Sequence, residues 1–224
     1  MLKELEGIRD YFNRDANDYD AYFTQDTDPR SIGRWLAKHI FSRRAASKRM
    51  DTVIGLCGSD VAGRTILEVG CGPGRYALAL ALRGAELTGI DFAPNMIAIA
   101  QKLAAQQGLE ERCRFLVGDI LDHSFEEVFD ISFAAGVLDY IPERYRVPLL
   151  RRMKDLSRQA VIVSFPKRWH CHALLRKGWL WAKAVPVYFY SQTDIDRLFV
   201  AAGLREVESR DIGILTVKKA VGAR

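Results

Sequence analysis

The fold of this chain of 224 residues is decided by the stretch Ile66-Leu67-Glu68-Val69-Gly70-Cys71-Gly72-Pro73-Gly74-Arg75-Tyr76. Its first four residues predict a buried β-strand, and the glycines that follow predict a turn leading into a helix. Because glycine has no Cβ, a bulky ligand can approach the backbone of this turn closely. The stretch therefore predicts a strand–turn–helix unit with a binding site at its turn.

An acidic residue ends the next predicted strand, Leu87-Thr88-Gly89-Ile90-Asp91. A carboxylate at that strand end can accept hydrogen bonds from ribose hydroxyl groups, which suggests a nucleotide-type cofactor. A dinucleotide fingerprint separates its last two glycines by three positions, whereas Gly72 and Gly74 are two apart. Glu68 would also repel a pyrophosphate but attract an ammonium group. An NAD-dependent oxidoreductase is therefore the less favoured alternative.

The pattern from Glu68 to Gly74 resembles the first motif of the class I S-adenosylmethionine-dependent methyltransferases, strongly over residues 65–163 and weakly in the flanks. The resemblance implies S-adenosyl-L-methionine as the cofactor. The resemblance implies that the methionine part of the cofactor is bound by Glu68 and the turn of Gly70, Cys71, Gly72 and Gly74, with Ala135 and Gly136 facing the same end. It also implies that the ribose and adenine of the cofactor are contacted by Asp91, Phe92, Met96, Asp119 and Ile120.

Strand and helix patterns alternate from residue 65 onward, which predicts parallel βαβ units. Predicted strands cover residues 66–69, 86–90, 113–117, 129–134 and 160–165, with helices at 76–83, 94–107 and within 142–156. A helix over 193–202, capped by Thr193, then leads to two strands at 205–209 and 214–218. We expect an α/β, Rossmann-like, doubly wound fold. Its seven-stranded, mostly parallel sheet would carry a C-terminal antiparallel β-hairpin, with helices at the N-terminus.

We expect one domain over residues 1–224, with a helical substrate or lid region at 1–60, a cofactor-binding core at 65–165 and an insertion at 166–190. The insertion mixes tryptophans with basic residues. This mixture fits a lid over an apolar acceptor, a surface that contacts a membrane, or a peripheral helix packed on the sheet. Candidate acceptor contacts are Tyr11, Tyr19, Tyr22, Tyr140, Trp169 and Trp179.

The formal net charge of +5 comes largely from two basic clusters. One cluster precedes the core, and its simplest interpretation is a solvated helix face. The other cluster lies in the insertion. Basic surfaces also attract nucleic acid, but the sequence shows no nucleic-acid-binding module. The first cluster consists of Arg34, Lys38, Arg43, Arg44, Lys48 and Arg49.

The four cysteines form no Cys-x-x-Cys pair, which argues against a zinc ribbon and a disulfide framework. His170-Cys171-His172 lacks further ligands at suitable spacing, so no metal site is expected. The sequence contains no apolar run of about 18 residues that could span a bilayer, and the N-terminus lacks the apolar core of a signal peptide. We therefore expect a cytoplasmic protein.

After the fourth strand the chain reads Ala134-Ala135-Gly136-Val137-Leu138-Asp139-Tyr140-Ile141-Pro142. It lacks the Pro-Pro pair of enzymes that methylate exocyclic base nitrogens or glutamine, and it resembles small-molecule methyltransferases. No arrangement suggests a cysteine nucleophile. The resemblance thus implies direct methyl transfer to a small, apolar or carboxylate-bearing acceptor, and the alternative is a non-catalytic S-adenosylmethionine-binding subunit or scaffold.

Three short segments also resemble magnesium-protoporphyrin O-methyltransferases, which esterify a propionate on a tetrapyrrole. The insertion and the basic helix at residues 34–49 depart from that pattern. The methylated atom, a catalytic base and the oligomeric state do not follow from the sequence. The three segments are Tyr11-Phe12-Asn13, Val163-Ser164-Phe165-Pro166 and Tyr188-Phe189-Tyr190.

Overall fold

A computed structural model describes residues 3–16, 43–168 and 185–223 of the chain. Its helices, in chain order, are α1 (Lys3–Arg14), α2 (Arg43–Cys57), α3 (Arg75–Ala81), α4 (Pro94–Gln107), α5 (Glu143–Asp155) and α6 (Gln192–Ala202). Its strands are β1 (Thr65–Val69), β2 (Glu86–Asp91), β3 (Cys113–Val117), β4 (Phe129–Ala134), β5 (Ser157–Pro166), β6 (Leu204–Asp211) and β7 (Leu215–Gly222).

The strands form one seven-stranded sheet in the order β3-β2-β1-β4-β5-β7-β6. Strands β1 to β5 pair in parallel, and β7 runs antiparallel to both β5 and β6. The strand order reverses between β1 and β4, whose register places Val69 beside Ala134. In open α/β sheets a crevice for ligands forms beyond the strand ends at such a reversal.

Helices cover both faces of the sheet because successive side chains of a strand point to opposite faces. Ile66 of β1 lies in a buried cluster with residues of α2, α3 and α4. Leu67, the next residue, lies in a second buried cluster with residues of α5 and α6. The doubly wound α/β fold expected from the sequence is confirmed.

The ends of several elements differ from the prediction. Helix α6 is capped by Ser191, not Thr193: the Ser191 Oγ accepts from the Asp194 N–H, and the Asp194 carboxylate accepts from the Ser191 N–H. This reciprocal pair satisfies two N–H groups of the first turn, which moves the helix start one residue back. Helix α3 ends at Ala81 instead of Arg83, before the left-handed Gly84.

Strands β5, β6 and β7 are longer than predicted because pairing continues past the predicted ends: Ser157 of β5 pairs with Phe129 of β4, and Gly222 of β7 pairs with Leu204 of β6. Within the described ranges, no helix is both long and apolar enough to cross a membrane. Part of the predicted helical region, residues 17–42, and most of the insertion, residues 169–184, lie outside these ranges.

Candidate functional site

The glycine turn after β1 packs tightly against the loop after β4. Gly70, Gly72 and Gly74 all have left-handed backbones, with φ of 64°, 51° and 73°. An ideal Cβ added to Gly70 would lie 2.5 Å from the Val137 Cγ2 atom, which is closer than real Cβ contacts. Gly70 is therefore required both by its backbone angle and by the neighbouring loop.

Asp91 closes this turn from the end of β2. Its Oδ2 atom accepts from the Gly72 N–H at 2.8 Å, and its Oδ1 atom accepts from the Ala93 N–H at 2.9 Å. The side chain is buried, and burial raises the pKa of the carboxyl even though these backbone N–H groups lower it. A carboxylate offers about four lone-pair sites, so Asp91 retains acceptor capacity toward a ligand while it orders the turn.

Glu68 and Cys71 lie beneath the turn. Glu68 is 2% exposed, and its Oε2 atom accepts from the Ala77 N–H in the first turn of α3 at 3.0 Å. Burial raises the pKa of this carboxyl well above its usual range. Burial also raises the pKa of the Cys71 thiol, which lies in the core. The structure thus places the Glu68 carboxyl at the N-terminus of α3, where the Ala77 N–H offsets part of the effect of burial on its pKa.

A cleft open to solvent lies beyond the ends of β1, β2 and β3. It brings together five residues that the sequence assigned to the cofactor: Gly70, Asp91, Phe92, Asp119 and Ile120. Asp119 is half-buried, and its Oδ1 atom accepts from the Leu121 N–H at 3.0 Å. The sequence reasoning did not identify the other cleft residues, among them Leu5, Val137, Ile141, Tyr145 and Leu149.

Helix α1 lies across one side of this cleft. Leu5 contributes to the cleft wall, and Asn13 accepts two hydrogen bonds of 2.9 Å, one from the backbone N–H and one from the side-chain amide of Asn95 at the start of α4. Phe12 packs edge-on against Tyr11 and Tyr140, with ring centroids 5.2 and 5.1 Å apart. The sequence predicted a helical region at residues 1–60, but the position of α1 over the cleft depends on these contacts.

Met96 was assigned to the cofactor pocket, but the structure places it elsewhere. It is 1% exposed and packs in a small cluster with Ala16 and Ala93 beside α1. It is not among the residues that line the cleft. Because α1 covers this end of α4, the Met96 side chain points into the contact between the two helices.

Ala135 and Gly136 follow β4, as predicted. Gly136 has φ of 79° and donates its N–H to the Ser164 Oγ atom at 2.8 Å. Ala135 packs against the core cluster on the α2 side of the sheet. The loop that carries both residues therefore lies at the reversal of strand order, beside the glycine turn.

Arg49 also belongs to this region, although the basic cluster of which it is part was predicted to be a solvated face. Arg49 is half-buried, and its Nε atom donates to the Tyr76 hydroxyl at 2.9 Å. The prediction is wrong for this residue because Arg49 precedes the buried Val53 by one helical turn, so both share the inner face of α2. The four-residue spacing between Arg49 and Val53 was the feature of the sequence that could have predicted the inward position of Arg49.

Several sequence predictions lie outside the described residues and stay predictions. They concern Tyr19, Tyr22, Trp169, Trp179 and the segment His170-Cys171-His172. Tyr11 belongs to α1, and Tyr140 packs against its neighbour Phe12, but no ligand contact tests the assignment of either tyrosine to an acceptor.

The described residues fit a ligand with a nucleoside at one end and a charged amino-acid group at the other. Carboxylates of Asp91 and Asp119 lie at the ends of β2 and β3, with apolar walls from Phe92 and Ile120 between them. The left-handed glycines keep side chains away from the turn after β1. Across the reversal, Arg49 supplies a cation.

Comparison with known proteins agrees with this geometry. Residues 66–160 match the family model described as "Methyltransferase domain". The magnesium protoporphyrin IX methyltransferase of Arabidopsis thaliana is 28% identical over 207 residues, which cover 89% of this chain and 64% of the relative. A ubiquinone biosynthesis O-methyltransferase of Pseudomonas putida is 36% identical over 83 residues, 37% of this chain and 36% of the relative.

The chain thus spans less than two thirds of the length of these curated relatives. A crystal structure of magnesium protoporphyrin IX methyltransferase from Synechocystis PCC 6803 with bound SAH superposes with a TM-score of 0.78 at 19% identity. The match covers 96% of this chain and 98% of that one, and at an identity of 19% the match shows that the two chains share a fold. Residues 66–160 therefore match a methyltransferase domain, and the chain has the fold of class I S-adenosylmethionine-dependent methyltransferases with a resemblance to magnesium protoporphyrin methyltransferases.

Proposed function

We propose that this chain is an S-adenosylmethionine-dependent methyltransferase that transfers a methyl group directly to a small acceptor. The observation that carries the proposal is the cleft at the strand-order reversal. It joins the glycine turn after β1, Asp91 after β2 and Asp119 after β3. The cofactor supplies a methyl group that its sulfonium charge already makes electrophilic. The protein must therefore mostly orient the two reactants and exclude water.

Each side chain has a stated task in this proposal. Asp91 accepts hydrogen bonds from the ribose hydroxyls while it holds the Gly72 and Ala93 N–H groups. Asp119 accepts from the adenine amino group, and Phe92 and Ile120 pack against the ring. The proposal assigns no catalytic base.

The acceptor is proposed to have an apolar body and a carboxylate or hydroxyl group. Relatives are named for magnesium protoporphyrin IX, for ubiquinone biosynthesis and for sterol 4-C-methylation, and each of these compounds has a large apolar part. Leu5 in the cleft wall and the Phe12–Tyr140 pair give α1 an apolar inner side. We propose that α1 and the insertion at 166–190 cover such an acceptor, and that the protein works in the cytoplasm, with membrane contact as the alternative role of the insertion.

The experiment has a binding arm and a turnover arm. S-adenosylmethionine and S-adenosylhomocysteine should raise the melting temperature of the purified protein by mass action, and NAD should not. Turnover is measured with methyl-labelled cofactor and three acceptors: magnesium protoporphyrin IX, a catechol ubiquinone precursor and a sterol. Products are identified by mass, first with these compounds and then in cell extract.

Three results decide between the candidate functions. A methylated product supports the proposal. Stabilisation by NAD alone would establish the oxidoreductase alternative. Cofactor binding without any methylated product, in the panel or in extract, would instead favour a non-catalytic subunit.

A further inference from the structure

A second groove continues from the cofactor cleft past the end of β3. Phe92, Gly118 and Asp119 line both the cleft and this groove, which is open to solvent. Beyond Asp119 the wall of the groove is formed by the loop after β3, with Asp122 and His123, and by the exposed side of α1. The described residues therefore extend the cleft outward past Asp119 instead of closing it there.

The loop after β3 is held in place from outside the groove. The His123 N–H donates to the Asp119 carbonyl oxygen, and the Arg152 Nη2 atom donates to the His123 carbonyl oxygen, both at 2.8 Å. The imidazole packs edge-on against Phe125, with ring centroids 4.6 Å apart. An ideal Cβ added to Gly118 would lie 3.6 Å from the His123 Nδ1 atom. The imidazole therefore lies over the backbone at the end of β3, beside Asp119.

The α1 part of the wall carries a charge pair. The Arg9 Nη2 atom lies 2.9 Å from the Asp10 Oδ1 atom, and the Arg9 Nε atom donates to the same oxygen at 3.0 Å. These opposite charges offset each other, while the Asp119 carboxylate at the junction repels anions. The groove therefore suits an uncharged group better than a phosphate.

We propose that this groove receives a substituent on the adenine amino group, so that the site binds cofactor derivatives with an uncharged aromatic group on that nitrogen. This inference rests on the proposed function, in which Asp119 accepts from the adenine amino group. That group has two N–H bonds, so one substituent still leaves a donor for Asp119. The substituent then extends past Asp119 into the groove, where the His123 imidazole offers a planar ring to pack against.

Calorimetry on the full chain with three probes tests the proposal. The probes are S-adenosylhomocysteine, its benzyl derivative and its dimethyl derivative, the last two modified on the adenine amino nitrogen. The benzyl derivative should bind within about threefold of the parent compound. The dimethyl derivative is smaller but has no N–H left for Asp119, so it should bind about tenfold or more weakly. A closed adenine pocket predicts the opposite order, because size would then decide.

Two variants locate the substituent, with one control. Val117, which is 53% exposed, lines the groove at the end of β3. Val117→Trp should fill the groove, which weakens the benzyl derivative by about tenfold or more and leaves S-adenosylhomocysteine within about twofold. His123→Ala should weaken the benzyl derivative alone, because it removes the ring. Val207→Trp makes the same change on β6, at the opposite edge of the sheet, where Val207 is 45% exposed, and should change neither affinity.

The possible failures are distinguishable. A benzyl derivative that binds more weakly than the dimethyl derivative would overturn this inference and leave the proposed function standing. Equal affinity for all three probes would also overturn it, because the amino group would then not donate to Asp119. Tight binding of the benzyl derivative that neither Val117→Trp nor His123→Ala weakens would place the substituent outside the groove. A wild-type protein that binds none of the probes would overturn the proposed function itself.

Discussion

Replacement of Gly70 by alanine should destabilise this protein through two separable effects. The first is backbone strain, because Gly70 has φ of 64°. A left-handed backbone costs an alanine about 1–2 kcal/mol. The second is steric, because the new Cβ would lie 2.5 Å from the Val137 Cγ2 atom, well inside van der Waals contact. Such overpacking typically costs about 1–3 kcal/mol, so we expect a total loss of about 3 kcal/mol in the free energy of unfolding.

The chain offers a matched control and a rescue. Gly63 has a similar φ of 70° but nothing within 4 Å of its ideal Cβ, so Gly63→Ala should cost only the strain, about 1 kcal/mol. Val137→Ala removes the clashing Cγ2 atom, and the Val137 Cβ atom that remains is 3.7 Å from the new methyl group. The double variant Gly70→Ala with Val137→Ala should therefore recover the steric part, a coupling of about 2 kcal/mol.

Urea unfolding followed by circular dichroism measures these free energies, provided that the slope with denaturant is unchanged among the variants. The reasoning would be refuted if Gly70→Ala cost no more than Gly63→Ala. It would also be refuted if Val137→Ala failed to recover stability in the double variant. Either outcome would mean that the glycine turn and the loop after β4 do not press against each other.

Two further predictions concern Asp91 and the start of α6. Asp91→Ala should weaken S-adenosylhomocysteine binding by about tenfold or more by calorimetry. It should also lower the unfolding free energy of the ligand-free protein by about 1–3 kcal/mol, since the Gly72 and Ala93 N–H groups lose their acceptor. Asp60→Ala, which removes an exposed acceptor far from the site, is the control, and equal affinities would remove Asp91 from the ribose site. Ser191→Ala should cost about 1 kcal/mol of stability. The Ser191 N–H and hydroxyl hold the pKa of Asp194 below its usual range. These hydrogen bonds therefore stabilise the folded state fully above the pKa that Asp194 has in the unfolded chain. The stabilisation is lost as the pH falls through the lower pKa of the folded state. An NMR titration of Asp194 checks this: the variant should titrate at higher pH than the wild type because it lacks the hydroxyl donor, and an unchanged midpoint would exclude the Ser191 hydroxyl as a cause.

Local patterns explain why much of the fold could be predicted from the sequence. The buried run before Gly70, the proline at the start of α4 and the glycine at its end are signals read within one element, and the structure has α4 at Pro94–Gln107 as predicted. The position of an acid at a strand end also follows from the chain alone, because parallel strands bring their carboxyl ends to one edge. Asp91 was found in this way and Asp119 through the family resemblance, and both line the cleft.

The remaining features depend on contacts between distant parts of the chain. Arg49 reaches Tyr76, which is 27 residues away, and Leu5 reaches a cleft formed by strands that begin 60 residues later. Met96 has the residue type of a pocket wall, yet α1 packs over it. The insertion of β7 between β5 and β6 likewise depends on pairing with both neighbours. The sequence by itself therefore determined the α/β elements, the glycine turn and its acids, because each depends on neighbouring residues. Only the tertiary structure decided which cation, which helix and which loop complete the site, because packing brings together residues whose spacing along the chain carries no signal.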